Sequence, residues 1–570
     1  MFFREKKSAE RVYLQIVENE RVDGRVRQRV IATVGRMDEL AATGSLDRLL
    51  ASGARFSDHA MLISTLAADA EGPRLHCRRI GGPLVFGRLW DETGCRAVLE
   101  DLLAERGFEF PVERAVFVTV LHRLFVSGSD RACEKWIADQ AIPGADDLQL
   151  HHFYRAMAWL GEELNPEHQD GRTPFVPRTT KDLVEERLFE RRRDLFTDLS
   201  VVFLDTTTLR FTGAGGQTLG ARGYSKDHRP DLMQMVLGVV VDGEGRPVCT
   251  EMWPGNTADV SVLIPVVDRL RARFAIARVC VVADRGMIST DTITALEERG
   301  LEYVLGVRER TDKRVRDIVL ADPGPFIPLT VPRAGSGETD LAAKEVTVAG
   351  VRYIVCRNEA EAAKDAADRA AIVAALEKQL KRGDKALIGN SAYRRYLTTT
   401  GRRFTIDPAR VEAEARYDGI FVLRTNARIT PLQAMLRYRE LLVVEDLFRT
   451  AKALLRTRPI YHSSDAAIRG HVFCSFLALI LRKELHDRCR AAGAQAEWMD
   501  VLLDLNRLQE ARLEQAGKTW TVRTEATGVA PALFKAVGLA LPPRITNAGA
   551  GNRNRPSRTR RRPSRKHRTV

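Results

Sequence analysis

Two short stretches decide how this 570-residue chain folds, VVFLDTTTL at residues 201–209 and VCVVADRGM at residues 279–287. Each begins with a run of apolar residues rich in valine, which predicts a buried strand, and each then turns polar at an aspartate. We therefore predict that Asp205 and Asp284 stand at the ends of two core strands. Carboxylates at that position lie at the sheet edge where open α/β sheets build their sites.

The chain around these stretches has the pattern of a mixed sheet covered by helices. Apolar runs of strand length recur at 200–204, 233–241, 278–283 and 301–307. Helical stretches such as VSVLIPVVDRLRARF separate the later runs, and strands that alternate with helices are typical of an α/β core. The fold class predicted from the sequence is therefore α/β.

Asp205 and Asp284 indicate a site only when they are considered as a pair. A single aspartate after a strand is a common way to begin a turn, so neither Asp205 nor Asp284 identifies a site by itself. Two of them on strands expected to be neighbours favour a shared Mg²⁺ or Mn²⁺ site. Hard divalent ions take oxygen ligands that are held on rigid elements, and strand ends can supply them.

A third acidic candidate, Glu445, lies in RYRELLVVEDLFRTAK at residues 437–452. The helical period puts five residues of this stretch on a single stripe: Tyr438, Leu441, Glu445, Phe448 and Lys452. Taken alone, the stretch is explained as well by an amphipathic core helix with one solvated charge. The apolar neighbours of Glu445 favour a glutamate on a largely buried helix, which is less typical of a solvated surface charge; they are Leu442, Val443, Val444 and Leu447.

The order of these acidic residues, two on strands and one on a helix after a long intervening segment, resembles the DDE transposases of bacterial insertion sequences. The likeness is narrower for the branch with a Y-x2-R-x3-E-x6-K signature and a largely β insertion before the glutamate. Tyr438, Glu445 and Lys452 match that signature, and Leu441 stands at its arginine position.

Four surrounding motifs also resemble this family, and the likeness covers roughly residues 199–482. The motifs are GYSKDHRPD (223–231), PGNTAD (254–259), ADRGM (283–287) and RPIYH (458–462). The combination is specific to the family, although no single motif is.

The resemblance implies an RNase H-like catalytic core that uses Mg²⁺ or Mn²⁺, with two ions. Asp205 would bridge both ions, and Asp284 and Glu445 would each complete one side. The activity implied is that of a transposase, which cleaves DNA strands at the ends of its insertion sequence and transfers them into target DNA. A catalytically inactive or domesticated DNA-binding protein, and a nuclease on the same fold without strand transfer, are the alternatives.

The resemblance also implies DNA-binding residues around this centre: Tyr438, Lys452, Arg285 and Arg449. Because Leu441 replaces the arginine of the signature, Arg437 or Arg449 would have to supply that phosphate contact. In relatives a tryptophan of the insertion stacks on a flipped base, and residues 308–416 contain no tryptophan. The aromatic residues left for that role are Tyr353, Tyr393, Tyr396 and Phe404.

Composition shifts and the motifs together predict six segments. They are an N-terminal region at 1–198, a first part of the catalytic core at 199–307, an insertion domain at 308–416, a second part of the core at 417–485, a C-terminal region at 486–543 and a basic disordered tail at 544–570. The N-terminal region begins with two predicted strands around an Asp-Gly turn at 23–24 and is mostly helical from 84 to 195. It could hold a module that binds the element ends, or be a helical packing domain. In the second part of the core we predict two helices, at 431–457 and 465–485.

Charge favours a partner that carries phosphate. The net charge is +14 and the pI about 9.5, and counterion release makes such a surface bind nucleic acid. Ten of the basic residues, and no acidic ones, lie in the tail at 544–570. A nonspecific nucleic-acid arm and a solubilising extension explain the tail equally well. Double-stranded DNA is the expected partner, and the resemblance implies a homodimer that brings two element ends together.

The remaining features predict a cytoplasmic protein that does not enter the membrane, and the resemblance to bacterial transposases implies association with the nucleoid. The first residues are charged and lack the apolar core of a signal peptide, and the longest apolar run, at 472–481, is too short to span a bilayer. The eight cysteines are scattered without a CxxC pair, which argues against a zinc site or a disulfide scaffold. We expect Asp259 to cap a helix beginning near Val260, and His462 to be structural.

Overall fold

The computed structural model describes the chain except residues 23–24, 55–73, 174–175, 193–200, 275–278, 333–337, 383–392, 394, 401–402, 455–456, 516–517 and 548–570. The predicted disordered tail lies almost entirely outside the described residues. The chain divides into two compact units. The first comprises the described parts of Met1–Pro83, Asp139–Ala141 and Ala496–Val570, and the second comprises those of Leu84–Ala138 and Ile142–Gln495.

The strands are numbered in chain order. They are β1 (Phe2–Ser8), β2 (Arg11–Val22), β3 (Arg25–Arg36), β4 (Arg74–Arg79), β5 (Val201–Arg210), β6 (Gln234–Asp242), β7 (Pro247–Pro254), β8 (Cys280–Ala283), β9 (Glu302–Gly306), β10 (Ile327–Pro332), β11 (Glu338–Val348), β12 (Val351–Asn358), β13 (Leu397–Thr400), β14 (Arg403–Ile406), β15 (Ile420–Thr425), β16 (Gln509–Gln515), β17 (Lys518–Arg523) and β18 (Ile545–Asn547).

The α-helices are numbered in the same way. They are α1 (Met37–Thr43), α2 (Ser45–Ala54), α3 (Gly81–Glu92), α4 (Cys95–Leu103), α5 (Val112–Phe125), α6 (Asp130–Ile137), α7 (Leu150–Leu160), α8 (Thr180–Arg192), α9 (Leu263–Phe274), α10 (Thr290–Glu298), α11 (Glu359–Arg382), α12 (Pro408–Ala415), α13 (Pro431–Arg439), α14 (Leu441–Arg449), α15 (Asp465–Ala491), α16 (Trp498–Arg507) and α17 (Ala530–Ala536). In the described part of the chain, no helix combines the length and apolar character needed to cross a bilayer.

The first unit contains two antiparallel sheets. Strands β1, β2 and β3 form one, and its β2–β3 pairing confirms the two strands predicted around residues 23–24. The predicted turn at 23–24 itself lies outside the described residues. The second sheet has the order β18–β17–β16–β4, so it joins the segment before residue 80 to the segment after residue 508.

The second unit is built on a sheet of nine strands in the order β10–β11–β12–β15–β9–β8–β5–β6–β7. The pairs β5–β8 and β8–β9 are parallel, and the other neighbours are antiparallel, so the sheet is mixed as predicted. Side chains alternate between its two faces along β5. Leu204 packs into a core cluster with α9 and α10, and Phe203 packs into a second cluster with α13 and α14. Helices therefore cover both faces.

Strand β5 is longer than the sequence predicted, and Asp205 lies inside it rather than at its end. Thr206, Thr207 and Thr208 continue the strand because threonine favours extended backbone and β6 pairs with all three of them. On the side of β8 the pairing stops at Leu204. The aspartate is thus at the end of the parallel ladder, although it is in the middle of the strand. The sequence reasoning also left out β7.

The helix predicted over 431–457 is not continuous. Helix α13 begins with a capping box in which Thr430 and Gln433 exchange hydrogen bonds, and it ends at Arg439. At Glu440 the backbone tightens. The N–H of Glu440 is shared between the carbonyls of Leu436 at 3.1 Å and Arg437 at 3.2 Å, and its own carbonyl accepts from the N–H of Val443 at 2.9 Å. Helix α14 follows and passes at residues 450–454 into a π turn. The second predicted helix, at 465–485, is confirmed by α15.

Residues between β9 and β15 add to the same sheet. Strands β10, β11 and β12 extend it beyond β15, while β13 and β14 form a separate hairpin near the 24-residue helix α11. Helices α3 to α8 precede β5, which confirms the predicted helical character of residues 84–195.

Candidate active site

Asp205 and Asp284 stand side by side at the end of the β5–β8 ladder. The parallel register pairs Val201 with Cys280 and ends with Leu204 opposite Ala283, so the next residue on each strand is an aspartate. The expectation that the two strands are neighbours is confirmed. After Asp284 the chain turns into a short 3-10 helix at Arg285–Met287, which ends the strand.

Glu445 reaches the same place from helix α14. The buried face of that helix, formed by Leu441, Val444 and Phe448, packs onto the sheet at β5. Glu445 lies off that face and lines a cavity of about 530 Å³ together with Asp205 and Asp284. The structure thus brings together the three acidic residues that the sequence singled out.

The reason given for placing Glu445 in a site is confirmed for two of its four apolar neighbours. Val444 is buried and Leu447 is partly buried against the core, whereas Leu442 and Val443 are 56% and 40% exposed. Leu442 lines the cavity instead, beside the carboxylate. Tyr438 belongs to helix α13 and Glu445 to helix α14, yet both side chains line the same cavity, so the two residues face the same side as the spacing predicted.

The carboxylates interact unfavourably with one another. Burial raises the pKa of Asp205 to about 6, and the negative charges of Asp284 and Glu445 act in the same direction. The Lys226 ammonium and the N–H of Thr206, which donates to Oδ1 of Asp205 at 2.7 Å, oppose this rise. A buried carboxylate with two further acidic side chains beside it is a donor set that a divalent cation stabilises.

Tyr438 contacts this centre directly. Its hydroxyl donates a 2.9 Å hydrogen bond to Oδ1 of Asp284. Burial, and then the charge of Asp284, raise the pKa of Tyr438, so the phenol keeps its proton and acts as a donor. The ring lies against Gly306 at the end of β9, where an added β-carbon would overlap the hydroxyl.

Lys226 and Asp259 also belong to the site, although the sequence reasoning did not place them there. Lys226 Nζ donates to the carbonyl and hydroxyl oxygens of Thr206 at 2.6 and 2.8 Å, and lies 3.2 Å from Asp259 and 3.9 Å from Asp205. The prediction that Asp259 caps a helix was wrong. Its carboxylate accepts from the Thr206 hydroxyl at 2.8 Å and has no capping hydrogen bond to the short helix that it begins.

The residues predicted to bind DNA lie at different depths. Lys452 is largely buried, with Nζ 3.0 Å from Oδ1 of Asp227. Arg285 is 55% exposed and lies 3.5 Å from Glu309. Arg449, 73% exposed, is 3.5 Å from the neighbouring acidic residue Asp446. Arg285 and Arg449 are therefore exposed enough to contact a ligand as they stand, whereas Lys452 is already paired with Asp227.

Two of the aromatic candidates for base stacking are unsuitable. Tyr353 and Tyr396 are 2% and 4% exposed, because β12 and the β13 hairpin bury their rings in separate apolar clusters. Tyr393 and Phe404 are partly buried against the second of these clusters.

His462 belongs to a polar cluster away from the carboxylates. Its Nε2 lies 3.3 Å from Asp130 and 3.2 Å from Nδ1 of His471, and these three residues could offer ligand atoms to a metal ion. However, the buried Arg123 already contacts Nδ1 of His471 at 2.8 Å and supplies a positive charge beside Asp130. His462 accordingly joins helices α6 and α15 as a structural residue would.

Comparison with known protein families decides what this arrangement is. Residues 196–481 match the transposase DDE domain, and residues 3–66 match the N-terminal domain of IS1634 family transposases. The chain belongs to the DDE transposase family. The nine-stranded sheet therefore contains an RNase H-like core, and the chain is an enzyme that acts on DNA and depends on a divalent metal ion.

Similarity to individual proteins is more distant. A piggyBac transposase synaptic complex with hairpin DNA, determined by cryo-electron microscopy, is similar over 75% of this chain and 80% of that chain, with 11% sequence identity and a TM-score of 0.36. A comparison with curated protein sequences found no match.

Proposed function

We propose that Asp205, Asp284 and Glu445 are the catalytic residues of this transposase and hold its metal ions, two Mg²⁺ or Mn²⁺. The observation that carries the proposal is the β5–β8 register, which sets two aspartates at one level of the sheet with Glu445 across the same cavity. The raised pKa of Asp205 supports it, because a cation would offset the mutual repulsion of these carboxylates.

Two divalent ions bound here would activate a water or a 3′-hydroxyl and stabilise the leaving oxygen of an in-line phosphoryl displacement. The protein side chains prepare the site. Tyr438 orients Asp284 by its hydrogen bond, and the Thr206 N–H orients Asp205. The carboxylates are placed on a buried sheet and a packed helix, so little movement is needed to present their oxygens.

We further propose that the substrates are double-stranded element ends and target DNA, bound with help from Tyr438, Lys452, Arg285 and Arg449. The predicted segments keep their proposed roles: residues 1–198 bind the element ends, 308–416 are an insertion in the catalytic core, and 544–570 form a basic tail. A homodimer would bring two ends together, and the enzyme would act in the bacterial cytoplasm on the nucleoid.

Three substitutions test the metal ligands: Asp205→Asn, Asp284→Asn and Glu445→Gln. We expect each to abolish cleavage of a duplex carrying the element end in Mg²⁺ or Mn²⁺ while end binding stays near wild type. Asp446→Asn is the matched control, because Asp446 is adjacent on the same helix, 64% exposed in its side chain and not part of the cavity. Full activity in any of the three variants would remove that residue from the proposed site.

The same assay separates the alternative functions. Nicking followed by joining of the 3′-end to a second duplex supports transposition. Nicking without joining favours a nuclease, and end binding without nicking favours an inactive or domesticated DNA-binding protein.

A further inference from the structure

The loop at residues 223–231 carries a carboxylate, Asp227, that the proposed chemistry does not use. Its Oδ1 lies 3.0 Å from Nζ of Lys452, and its Oδ2 pairs with the guanidinium group of Arg458. The side chains of Asp227 and Lys452 are each 13% exposed and that of Arg458 is 24% exposed, so the three charges meet largely away from water.

The backbone around the two cations is held in place independently of this ion pair. Ile460, two residues after Arg458, donates its N–H to the carbonyl of Arg210 at 3.1 Å and accepts from the N–H of Thr212 at 2.9 Å. These bonds fasten the Arg458 segment to the end of β5. Lys452 lies in the π turn that continues α14. The backbone segments that carry the two cations would therefore stay in place if the carboxylate moved away.

The neighbourhood of this pair is rich in positive charge. Burial, and then the Lys226 ammonium, lower the pKa of Lys452 to about 8, with Asp205 acting in the opposite direction. Burial, and then the Arg210 guanidinium, lower the pKa of Arg458. Each cation of the pair thus has a further cation near it, and such a group of positive charges favours a bound anion. The anion that a transposase meets is a DNA phosphate.

We propose that Lys452 and Arg458 form a binding site for a backbone phosphate of DNA, and that Asp227 is its resident counterion, which the phosphate replaces. The proposal rests on the proposed function in taking DNA as the ligand at this face of the core. A phosphodiester and a carboxylate carry one negative charge each, so the exchange keeps the charge balance, and a guanidinium can bind two oxygens of either group. In the DNA-free protein Asp227 prevents two partly buried cations from being left unpaired.

The opposite arrangement is that Asp227 stays in place and orients Lys452 towards the DNA. The two arrangements predict opposite changes in DNA affinity when the Asp227 carboxylate is removed. Loss of a competing counterion strengthens DNA binding, whereas loss of an orienting carboxylate weakens it.

The experiment compares Asp227→Asn with Asp231→Asn. Asp231 lies in the same loop, pairs with Arg229 at 2.8 Å and is exposed, so its variant makes the same change in net charge without touching Lys452. Binding of a short random-sequence duplex is measured by fluorescence anisotropy without divalent metal over a range of KCl concentrations. We expect Asp227→Asn to bind about five- to tenfold more tightly than Asp231→Asn. Equal or weaker binding would overturn the proposal.

Two further variants keep the test decisive. Asp227→Glu retains the charge and should bind as wild type does. Arg458→Gln should weaken binding, and more strongly in the Asp227→Asn background, where no carboxylate competes for the arginine. If Asp227→Asn does not fold, wild-type affinity in Arg458→Gln overturns the phosphate site by itself. Because these measurements need no catalysis and can be made in the Asp205→Asn background, failure of the metal-site proposal would leave their outcome unaffected.

Discussion

The hydroxyl of Tyr438 donates a 2.9 Å hydrogen bond to Oδ1 of Asp284, and this bond joins a helix of the second half of the core to a strand of the first half. Helix α13 follows the last strand of the sheet, whereas Asp284 follows β8, so 153 residues of chain separate the two partners. The tyrosine thereby fixes which carboxylate oxygen of Asp284 remains available to a ligand.

Replacing this tyrosine tests the hydrogen bond alone. Tyr438→Phe keeps the ring and removes the donor, and a hydrogen bond to a charged group contributes about 1.5–3 kcal/mol. We expect cleavage of end-bearing DNA to slow by about 10- to 100-fold, with a higher Mg²⁺ concentration needed for half-maximal rate. An unchanged rate and Mg²⁺ dependence would show that the bond does not position Asp284.

Gly306 offers a second test of the same relationship from the strand side. A β-carbon at this position would overlap the hydroxyl of Tyr438, so Gly306→Ala must displace the ring from Asp284. We expect a loss of cleavage at least as large as that of Tyr438→Phe, with near-native circular dichroism. The control is Gly87→Ala, since an added β-carbon at Gly87 lies at ordinary contact distance, 3.9 Å from Phe117. If Gly306→Ala cleaves at the wild-type rate, the ring has another way to reach the carboxylate.

The pairing of Asp205 and Asp284 could be predicted from sequence because it follows from a local pattern. Valine-rich runs predict buried strands, and two that end in aspartate suggest a shared edge. Glu445 could be chosen by spacing, although the helix assumed for it is interrupted at Glu440. The interruption depends on local hydrogen bonds of i to i+3 spacing at that residue, which no periodicity reveals. The spacing therefore selected Glu445, although the helix that carries it differs from the continuous helix that the spacing assumes.

Lys226 and Asp259 lie in two of the motifs that resemble the family, GYSKDHRPD and PGNTAD, but their meeting at Thr206 could not be predicted from the sequence. They reach Thr206 because two loops approach closely, and a β-carbon at Gly223 would overlap the carbonyl of Gly255. This close approach is a tertiary contact between two loops, and no periodic pattern in the sequence predicts it. The length of β5 was missed for a related reason, since its threonines resemble a polar turn until β6 provides their hydrogen-bonding partners.

The helix before the core is tied to it by a buried network of charges. The guanidinium group of Arg273, on α9, lies 3.0 Å from Asp182, 2.6 Å from Glu185 and 3.2 Å from Glu251, and its side chain is 1% exposed. Removing one partner of a buried ion pair leaves uncompensated charge and destabilises by about 3–5 kcal/mol. We expect Arg273→Met to lower the midpoint of thermal unfolding of the second unit by several degrees or to prevent folding.

A matched variant separates burial from charge. Arg299 pairs with Asp268 at 2.8 Å at the surface, where such a bond contributes about 0–1 kcal/mol. Arg299→Met should therefore leave the unfolding midpoint close to wild type in differential scanning calorimetry. Equal midpoints for the two variants would mean that the buried network does not hold α8 against the sheet.

His122 gives the chain a stability that depends on pH. The ring is 2% exposed and packs edge-on against Trp136, and its Nε2 has no partner among the described residues. Burial, and then the charge of Arg123, lower its pKa from 6.5 to about 4, with Asp130 acting in the opposite direction. The folded protein therefore keeps the ring neutral.

As the pH falls, the His122 side chain is protonated in the unfolded chain before it is protonated in the folded protein. Its contribution to stability is therefore complete above about pH 6.5. The contribution is lost between about pH 6.5 and pH 4, by about 1.4 kcal/mol per pH unit. We expect His122→Gln, which cannot be protonated, to lose less thermal stability than wild type between pH 7.5 and pH 5. His486→Gln, at an exposed position of α15, is the control and should follow wild type. If His122→Gln and wild type lose the same amount, the acid sensitivity comes from other groups, of which the buried His471, also with a lowered pKa, is the first to test.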